Sequence, residues 1–441
     1  MEKRKGTVST GSRVAYGIGD FAGNLLSGAT SSFIAMYYTD SVLVSALFVG
    51  TMMVVARILD AISDLVMGYI IDHTNFKLGK ARPWFLIGII PLLVSCFLMF
   101  HVPSGLSGNG KEIYIVVTYV LNTVICMTIF NVSYSTLCTY MSDDILTRIK
   151  MNGTRTFFAT LAMMVANMFT TNILASFGFQ QKAYDIMVLI YCAISLVCLL
   201  ITGFACKENH VPNSTNKPSA KASLAAIFSN RYVSLITLAF VFNWFLLGSN
   251  GSSMVYFVRD CLGSMELMGP VSAASFLPAL VILALGIVPR VAKKIGKRTT
   301  LMIGGGIEAL GLFIVAVAPV SLPIVAIGMV LKACGMATVN ALLFATVSDV
   351  AIYTSKTQKG EFAGITNSVT SFGMKVGIGF GSAVITWLLA WANYDGAASV
   401  QNAPALLAEK IGFSAVPCGC AIVVFILMSF VDVEKKLKEM Q

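Results

Sequence analysis

Asp60 and Asp64 stand four residues apart inside Val55–Gly68, a stretch that otherwise reads as membrane-spanning helix. In a helix this spacing stacks the two carboxylates on one face, a few ångströms apart. Burying two like charges side by side is costly unless something positive lies between them. A monovalent cation or a proton meets that need, and an ionisable residue at membrane depth marks a functional site whose partner must be found. Arg57, one turn before Asp60, reads as a structural partner for a neighbouring carboxylate.

Residues of this kind need a hydrophobic frame to position them, and the composition supplies one. The chain is 56% hydrophobic and 12% charged, with a mean hydropathy of +0.80, whereas soluble proteins are about 25% charged. This excludes a soluble protein and predicts an all-α polytopic membrane protein. The net charge of +10 comes from short basic clusters between apolar runs, where they set topology; no nucleic-acid groove is implied. Most of the cysteines, such as Cys96, Cys126 and Cys192, fall within apolar runs and read as small hydrophobes rather than a disulfide framework. Cys418-Gly-Cys420 is one residue short of a redox CxxC. Met1–Lys5 precedes a long span with no small-residue cleavage site, so no removable signal peptide is expected. His73, His101 and His210 fall in or near loops, and no HExxH, GxSxG or metal-ligand cluster accompanies them, which argues against an enzyme.

Apolar runs long enough to cross about 30 Å of hydrocarbon occur about twelve times. They lie near 14–39, 43–71, 83–103, 113–140, 153–177, 184–204, 232–257, 267–289, 299–320, 322–351, 361–392 and 409–432. Basic residues gather in alternate segments: Lys3, Arg4 and Lys5; Lys77, Lys80 and Arg82; Arg148 and Lys150; Lys207, Lys217 and Lys221; Arg290 to Arg298; Lys356 and Lys359; Lys435, Lys436 and Lys438. The other loops hold only Lys111, Lys182, Arg259 and Lys410. That asymmetry predicts a multi-pass protein of the inner (plasma) membrane with both termini cytoplasmic.

The longest polar stretch, rich in Asn, Ser and Pro, lies between the sixth and seventh runs and reads as a linker. It divides the chain into an N-terminal six-helix half (1–205), a cytoplasmic linker (206–231) and a C-terminal six-helix half (232–441). The halves echo each other: Gly79-Lys-Ala-Arg82 follows the second span and Gly296-Lys-Arg298 follows the eighth. A weak internal repeat around a central linker is the pattern of a transporter built from two pseudo-symmetric halves.

With Asp60 and Asp64 before it and Asp72-His-Thr-Asn-Phe-Lys-Leu-Gly-Lys-Ala-Arg-Pro-Trp84 after it, the second span resembles that of the glycoside-pentoside-hexuronide:cation symporters, a branch of the major facilitator superfamily. Further matches are Tyr16-Gly-Ile-Gly-Asp20-Phe-Ala-Gly-Asn24, Tyr37-Tyr-Thr-Asp40, Thr128-Ile-Phe-Asn131-Val-Ser-Tyr134, Arg155, and Ser371-Phe-Gly-Met-Lys375. The resemblance implies twelve transmembrane helices and a cation site of Asp60, Asp64 and Thr128. Two carboxylates and a hydroxyl suit Na⁺, and a carboxylate alternatively takes H⁺. No other cofactor is implied. Ser63 departs from the asparagine of the sodium-using pattern, which leaves Na⁺ and H⁺ both open.

The same resemblance assigns the substrate to Asn24, Asn131, Arg155 and Lys375. Ser135 stands where the family has a tryptophan, and Asn24 and Asn131 stand where it has aspartates, so negative charge is lost while amides still donate to and accept from hydroxyls. A hexuronide, clamped by Arg155, is therefore one expected substrate class. Tyr134 is expected to touch the sugar, and Ser371 and Asp20 complete the set, Asp20 also reading as tied to an inner-loop basic residue. Lys332 is expected to snorkel to the outer interface, Glu308 to mark a close-packed crossing after Gly304-Gly-Gly306, and Lys80, Arg82 and Lys297 to latch one state with Asp349 and Glu361. The implied function is cation-coupled symport of a glycoside, pentoside or hexuronide into the cell by a monomer in the lipid bilayer, with sugar between the halves. The alternative is symport of an amphiphile such as a lysolipid.

Overall fold

The computed structural model describes residues 8–74, 76–142, 145–209, 231–358, 363–396, 398 and 400–439. The chain divides into two compact units, Met1–Asn213 and Ser214–Gln441. The N-terminal unit runs α1 (Thr10–Met36), a π-helical turn (Tyr37–Ser41), α2 (Ala46–His73), α3 (Arg82–Phe100), α4 (Asn109–Val120), a second π-helical turn (Leu121–Cys126), α5 (Met127–Met141), α6 (Ile145–Ser176) and α7 (Gln181–Ala205). The C-terminal unit runs α8 (Arg231–Tyr256), a π-helical turn (Phe257–Cys261), a short 3₁₀ turn (Met265–Leu267), α9 (Met268–Ala284), α10 (Ile287–Ile295), α11 (Lys297–Val317), α12 (Leu322–Gln358) and α13 (Ala363–Trp391). It ends with α14 (Ala403–Lys410), a π-helical turn (Ile411–Ala415), α15 (Val416–Ser429) and α16 (Val433–Glu439).

Among the described residues, 11 helices are long and apolar enough to cross a membrane. The 27-residue α1 is not one of them, although at about 1.5 Å per residue it has the length. Asp20, Asn24 and its many Ser, Thr and Gly residues lower its hydropathy, and these are the residues the sequence singled out. With α1, all twelve expected spans are present as helices. An all-helical answer follows from the solvent: a lipid core offers no partner for a free backbone N–H or C=O, so each span closes its own hydrogen bonds.

In the N-terminal unit α1 packs on α6 and α7, α3 on α5 and α7, and α2 on α5. In the C-terminal unit α8 packs on α13 and α15, and α12 on α9 and α11. Tyr232, Ile236 and Phe240 of α8, Leu301 of α11, Leu343 and Val347 of α12 and Val424 of α15 share one buried core there.

Two helix starts are capped from far along the chain. Gly79 turns at φ +120°, which only glycine takes without strain, and the Lys80, Ala81 and Arg82 N–H groups then donate to Glu208 at 2.9, 2.8 and 2.7 Å. Arg82 Nε donates to the Gly203 carbonyl at 2.7 Å. The C-terminal unit repeats the device: Gly296 turns at φ +88°, the Lys297 and Arg298 N–H groups donate to Glu434 at 3.1 and 3.5 Å, and Arg298 donates to the Ser429 carbonyl. A carboxylate at a helix N-terminus answers both the orphan donors and the positive end of the dipole. Lys297 Nζ also binds both oxygens of Asp349, at 2.9 and 2.7 Å. Glu361, the other expected partner, lies outside the described residues.

Candidate functional site

Of the residues expected to hold the cation, Asp60 and Thr128 meet where α2 crosses the start of α5. Asp60 is 5% exposed and Thr128 2%. Thr128 Oγ1 donates to Asp60 Oδ1 at 3.0 Å. Arg57 lies 3.8 Å from Asp60, one turn back on α2, and Asp64, one turn on, is half-buried. Thr128 stands immediately after the π-helical turn Leu121–Cys126, and such turns recur at functional sites because they displace the helix face.

Ser63, read from the sequence as a departure, is the hub of this centre. Its Oγ lies 2.9 Å from the Asp60 carbonyl, 2.9 Å from the Val124 carbonyl and 2.8 Å from Thr128 Oγ1. One serine hydroxyl has a single proton to give. Three acceptors around it share that proton, so hydroxyl and carbonyl oxygens gather beside the Asp60 carboxylate at this crossing. Ser63 thus stands with Thr128 and Asp60 at this crossing, and Val124 adds a main-chain oxygen that no side-chain motif announces.

The substrate residues divide. Asp20 and Arg155 meet: Arg155 Nε donates to Asp20 Oδ1 at 2.9 Å, the aspartate buried and the arginine side chain 33% exposed. Arg155 lies over the Tyr134 ring, 5.2 Å from its centroid. Tyr134 itself is 0% exposed and stacks on Tyr16 with centroids 4.3 Å apart, and each tyrosine hydroxyl donates to the other's main-chain carbonyl. Tyr134, expected to touch the sugar, is here a buried platform beneath Arg155. Its position six residues past Thr128 on α5 turns it toward α1 rather than into an open space.

Asn24 is half-buried, its amide nitrogen donating to the Asp20 carbonyl at 2.9 Å and its oxygen left for another donor. Asn131 is exposed on α5, one turn after Thr128. In the C-terminal unit Lys375 is half-buried on α13, with Ser371 exposed one turn before it. Lys332 departs from expectation. It does not snorkel but is 2% exposed, with Nζ 5.7 Å from the centroid of Phe276 on α9. Glu208 and Glu434 were not singled out from sequence, although each stands just after the sixth helix of its half, at corresponding places in the repeat.

Residues 15–435 match the family described as MFS/sugar transport protein. The chain is 29% identical over 422 residues to the inner membrane symporter YicJ of Escherichia coli (strain K12), covering 94% of this chain and 89% of that protein. It is 26% identical over 429 residues to the glucuronide carrier protein homolog of the same organism, covering 97% and 93%. The solved structure of the nucleoside transporter NupG superposes with a TM-score of 0.66 at 14% identity, over 96% of this chain and 100% of that one, which speaks to the fold. Together with the twelve helices and the Asp60–Ser63–Thr128 centre, these matches make the chain a multi-pass membrane transporter and not an enzyme, a member of the MFS/sugar transport family in its glycoside-pentoside-hexuronide:cation symporter branch.

Proposed function

We propose that the chain carries a glycoside into the cell on a Na⁺ gradient, acting as a monomer in the inner (plasma) membrane with both termini cytoplasmic. The observation that supports Na⁺ most is the set of oxygens gathered at one crossing: the Val124 carbonyl, Ser63 Oγ, Thr128 Oγ1 and Asp60 Oδ1 follow one another at 2.9, 2.8 and 3.0 Å. A proton would need only one carboxylate; hydroxyl and carbonyl oxygens are suited to a metal cation. The ion would neutralise the Asp60–Asp64 pair before the sugar binds. Coupling is then a difference in affinity, each ligand tightening the other by the same factor. Helix α5 is the natural carrier of that difference, because Thr128 and Asn131 are one turn apart on it.

The sugar side favours polyhydroxyl recognition. Asp20 balances the charge of Arg155, so the pair offers acceptor and donor oxygens and nitrogens with no net charge, and Asn24 and Asn131 add amides. A neutral glycoside or pentoside fits this balance. A hexuronide is the second reading, favoured by Lys375 and by the glucuronide carrier homolog among the relatives. Uptake of radiolabelled glycosides, neutral and uronic, into liposomes holding the purified protein separates these readings under imposed Na⁺ and H⁺ gradients applied one at a time. Na⁺ should drive concentrative uptake by the wild type, while D60N and D64N should only equilibrate the sugar. Variants that concentrate sugar as well as the wild type would remove the coupling assignment.

A further inference from the structure

Glu308 and Lys332 are buried ionisable residues for which the symport reading has no use. Each is 2% exposed, within span helices α11 and α12 of the same unit. The crossing that holds them is made by glycines. A Cβ built on Gly311 would lie 2.4 Å from the Gly328 carbonyl oxygen and 2.6 Å from the Lys332 nitrogen, and one on Gly335 would lie 2.5 Å from both Cβ and N of Glu308. The two backbones are therefore in direct contact there, Glu308 level with Gly335 and Lys332 level with Gly311. Three residues separate Gly335 from Lys332, about 4.5 Å along the axis, so the two residues sit about one turn apart and act on each other electrostatically. They do not close: among the described residues Glu308 Oε1 is buried without a hydrogen-bond partner. The ammonium has instead the Phe276 ring face.

We propose that Glu308 and Lys332 bind and release one proton in each transport cycle, forming an ion site in the C-terminal unit additional to the Asp60–Asp64 centre. Its place in a cycle rests on the symport reading; the proton binding does not. A proton arriving from the outer water adds to the Glu308 carboxylate and makes a carboxylic acid, leaving the Lys332 ammonium as the one charge. Phe276 supports that charge through its ring face. Loss of the same proton to the inside restores the balanced pair. A merely structural ion pair at this depth would close onto itself and satisfy its oxygens, whereas here an acceptor is kept open. The surroundings bring few competing groups. Helix α9 carries no ionisable residue, α15 brings Cys418, whose Sγ donates to the Ala309 carbonyl at 3.5 Å, and α13 brings Lys375. On α12 itself Cys334 follows, and α8, α10 and α16 carry their charges at or near helix ends.

Two measurements on the full chain in liposomes test this. The first is infrared difference spectroscopy between alkaline and acidic buffer, without sugar or Na⁺, in a D60N/D64N background. A carboxylic-acid band that grows on acidification is expected, and adding E308Q should remove it; a band indifferent to E308Q overturns the proposal. The second uses E308Q/K332M, which removes both charges together and leaves no lone buried ion. With equal Na⁺ on both sides of the membrane, an inward proton gradient should stimulate wild-type uptake, and the double variant should lose that stimulation about tenfold or more while its Na⁺ affinity, set at the separate Asp60–Asp64 centre, stays within about twofold. Undiminished stimulation in E308Q/K332M, or none in the wild type, also overturns it. Absence of Na⁺ coupling together with an E308Q-sensitive band sinks the symport reading and leaves this one standing.

Discussion

In the N-terminal unit Asp60 sits among hydroxyl and carbonyl oxygens, wet in the chemistry of its lining, whereas in the C-terminal unit Glu308 and Lys332 sit in a glycine-packed crossing beside one aromatic ring, dry in the same sense. The scaffolding around these centres is nevertheless the same. Each unit ends its first long helix in a π-helical turn that carries an aspartate, Asp40 in Tyr37–Ser41 and Asp260 in Phe257–Cys261. Each also clasps the start of its third span with a glutamate and fastens an arginine to a carbonyl at the end of its sixth. The two units thus share geometry where backbone groups must be satisfied and differ at their buried ionisable residues.

The sharpest way to break the contrast is to remove charge from the wet centre. D60N preserves shape but takes away the carboxylate that Thr128 and Arg57 engage, and Na⁺ affinity should fall about 100-fold or more, a loss of about 3 kcal/mol. Na⁺ titration of sugar binding measures it. A loss of only a few-fold would mean that Asp64 and the neutral oxygens suffice, and the wet centre would not depend on Asp60. On the dry side the sensitive property is packing. G335L drives a side chain into the Glu308 backbone, and the folded protein should be destabilised by about 3 kcal/mol or more. G306L, at a position with nothing within 4 Å of a new Cβ, should melt in detergent within a few degrees of the wild type. Equal melting of the two variants would show that the crossing is looser than its backbone contacts say.

How much of this was readable from the chain itself differs by element. The spans and their number follow from apolar runs, since a bilayer tolerates little else. Asp60 and Asp64 stood out because two acids in an apolar run demand a partner, whereas Thr128 entered only through the family resemblance, and the structure places its hydroxyl on Asp60. Ser63 was visible only as a departure, since its role depends on the Val124 carbonyl and on a π-helical turn that has no sequence signature. The burial of Tyr134 was unforeseen and Lys332 was misplaced for one reason: spacing along a helix says which residues share a face, not which neighbour covers that face. Tyr16 covers the first and Phe276 the second. Glu208 and Glu434 were missed because a single carboxylate after a span looks like solvated loop until the N–H groups that it caps are in view.

The glutamate clasps give a graded comparison between the units. Glu208 takes three N–H groups at 2.7–2.9 Å, and the Lys297 and Arg298 N–H groups reach Glu434 at the longer distances of 3.1 and 3.5 Å. Because a hydrogen bond weakens as it lengthens, E208A should cost about 2–3 kcal/mol and E434A about 1 kcal/mol. Thermal melting of each variant in detergent checks the order, and a larger effect of E434A would place the greater strain on the C-terminal unit.

The smallest effect belongs to the residue that joins the cation oxygens. S63A removes one neutral oxygen and one proton from the centre and leaves both aspartates, so the loss is that of a single neutral contact, about 1 kcal/mol, or about fivefold in Na⁺ affinity. Li⁺, which is smaller and more demanding of close oxygens, should lose more than Na⁺. The selectivity ratio between the two ions in S63A is therefore a finer probe than either affinity alone. A ratio unchanged from the wild type would mean that Ser63 only tethers α2 to the Val124 carbonyl, and the contrast between a wet and a dry unit would then rest on Asp60 and Thr128.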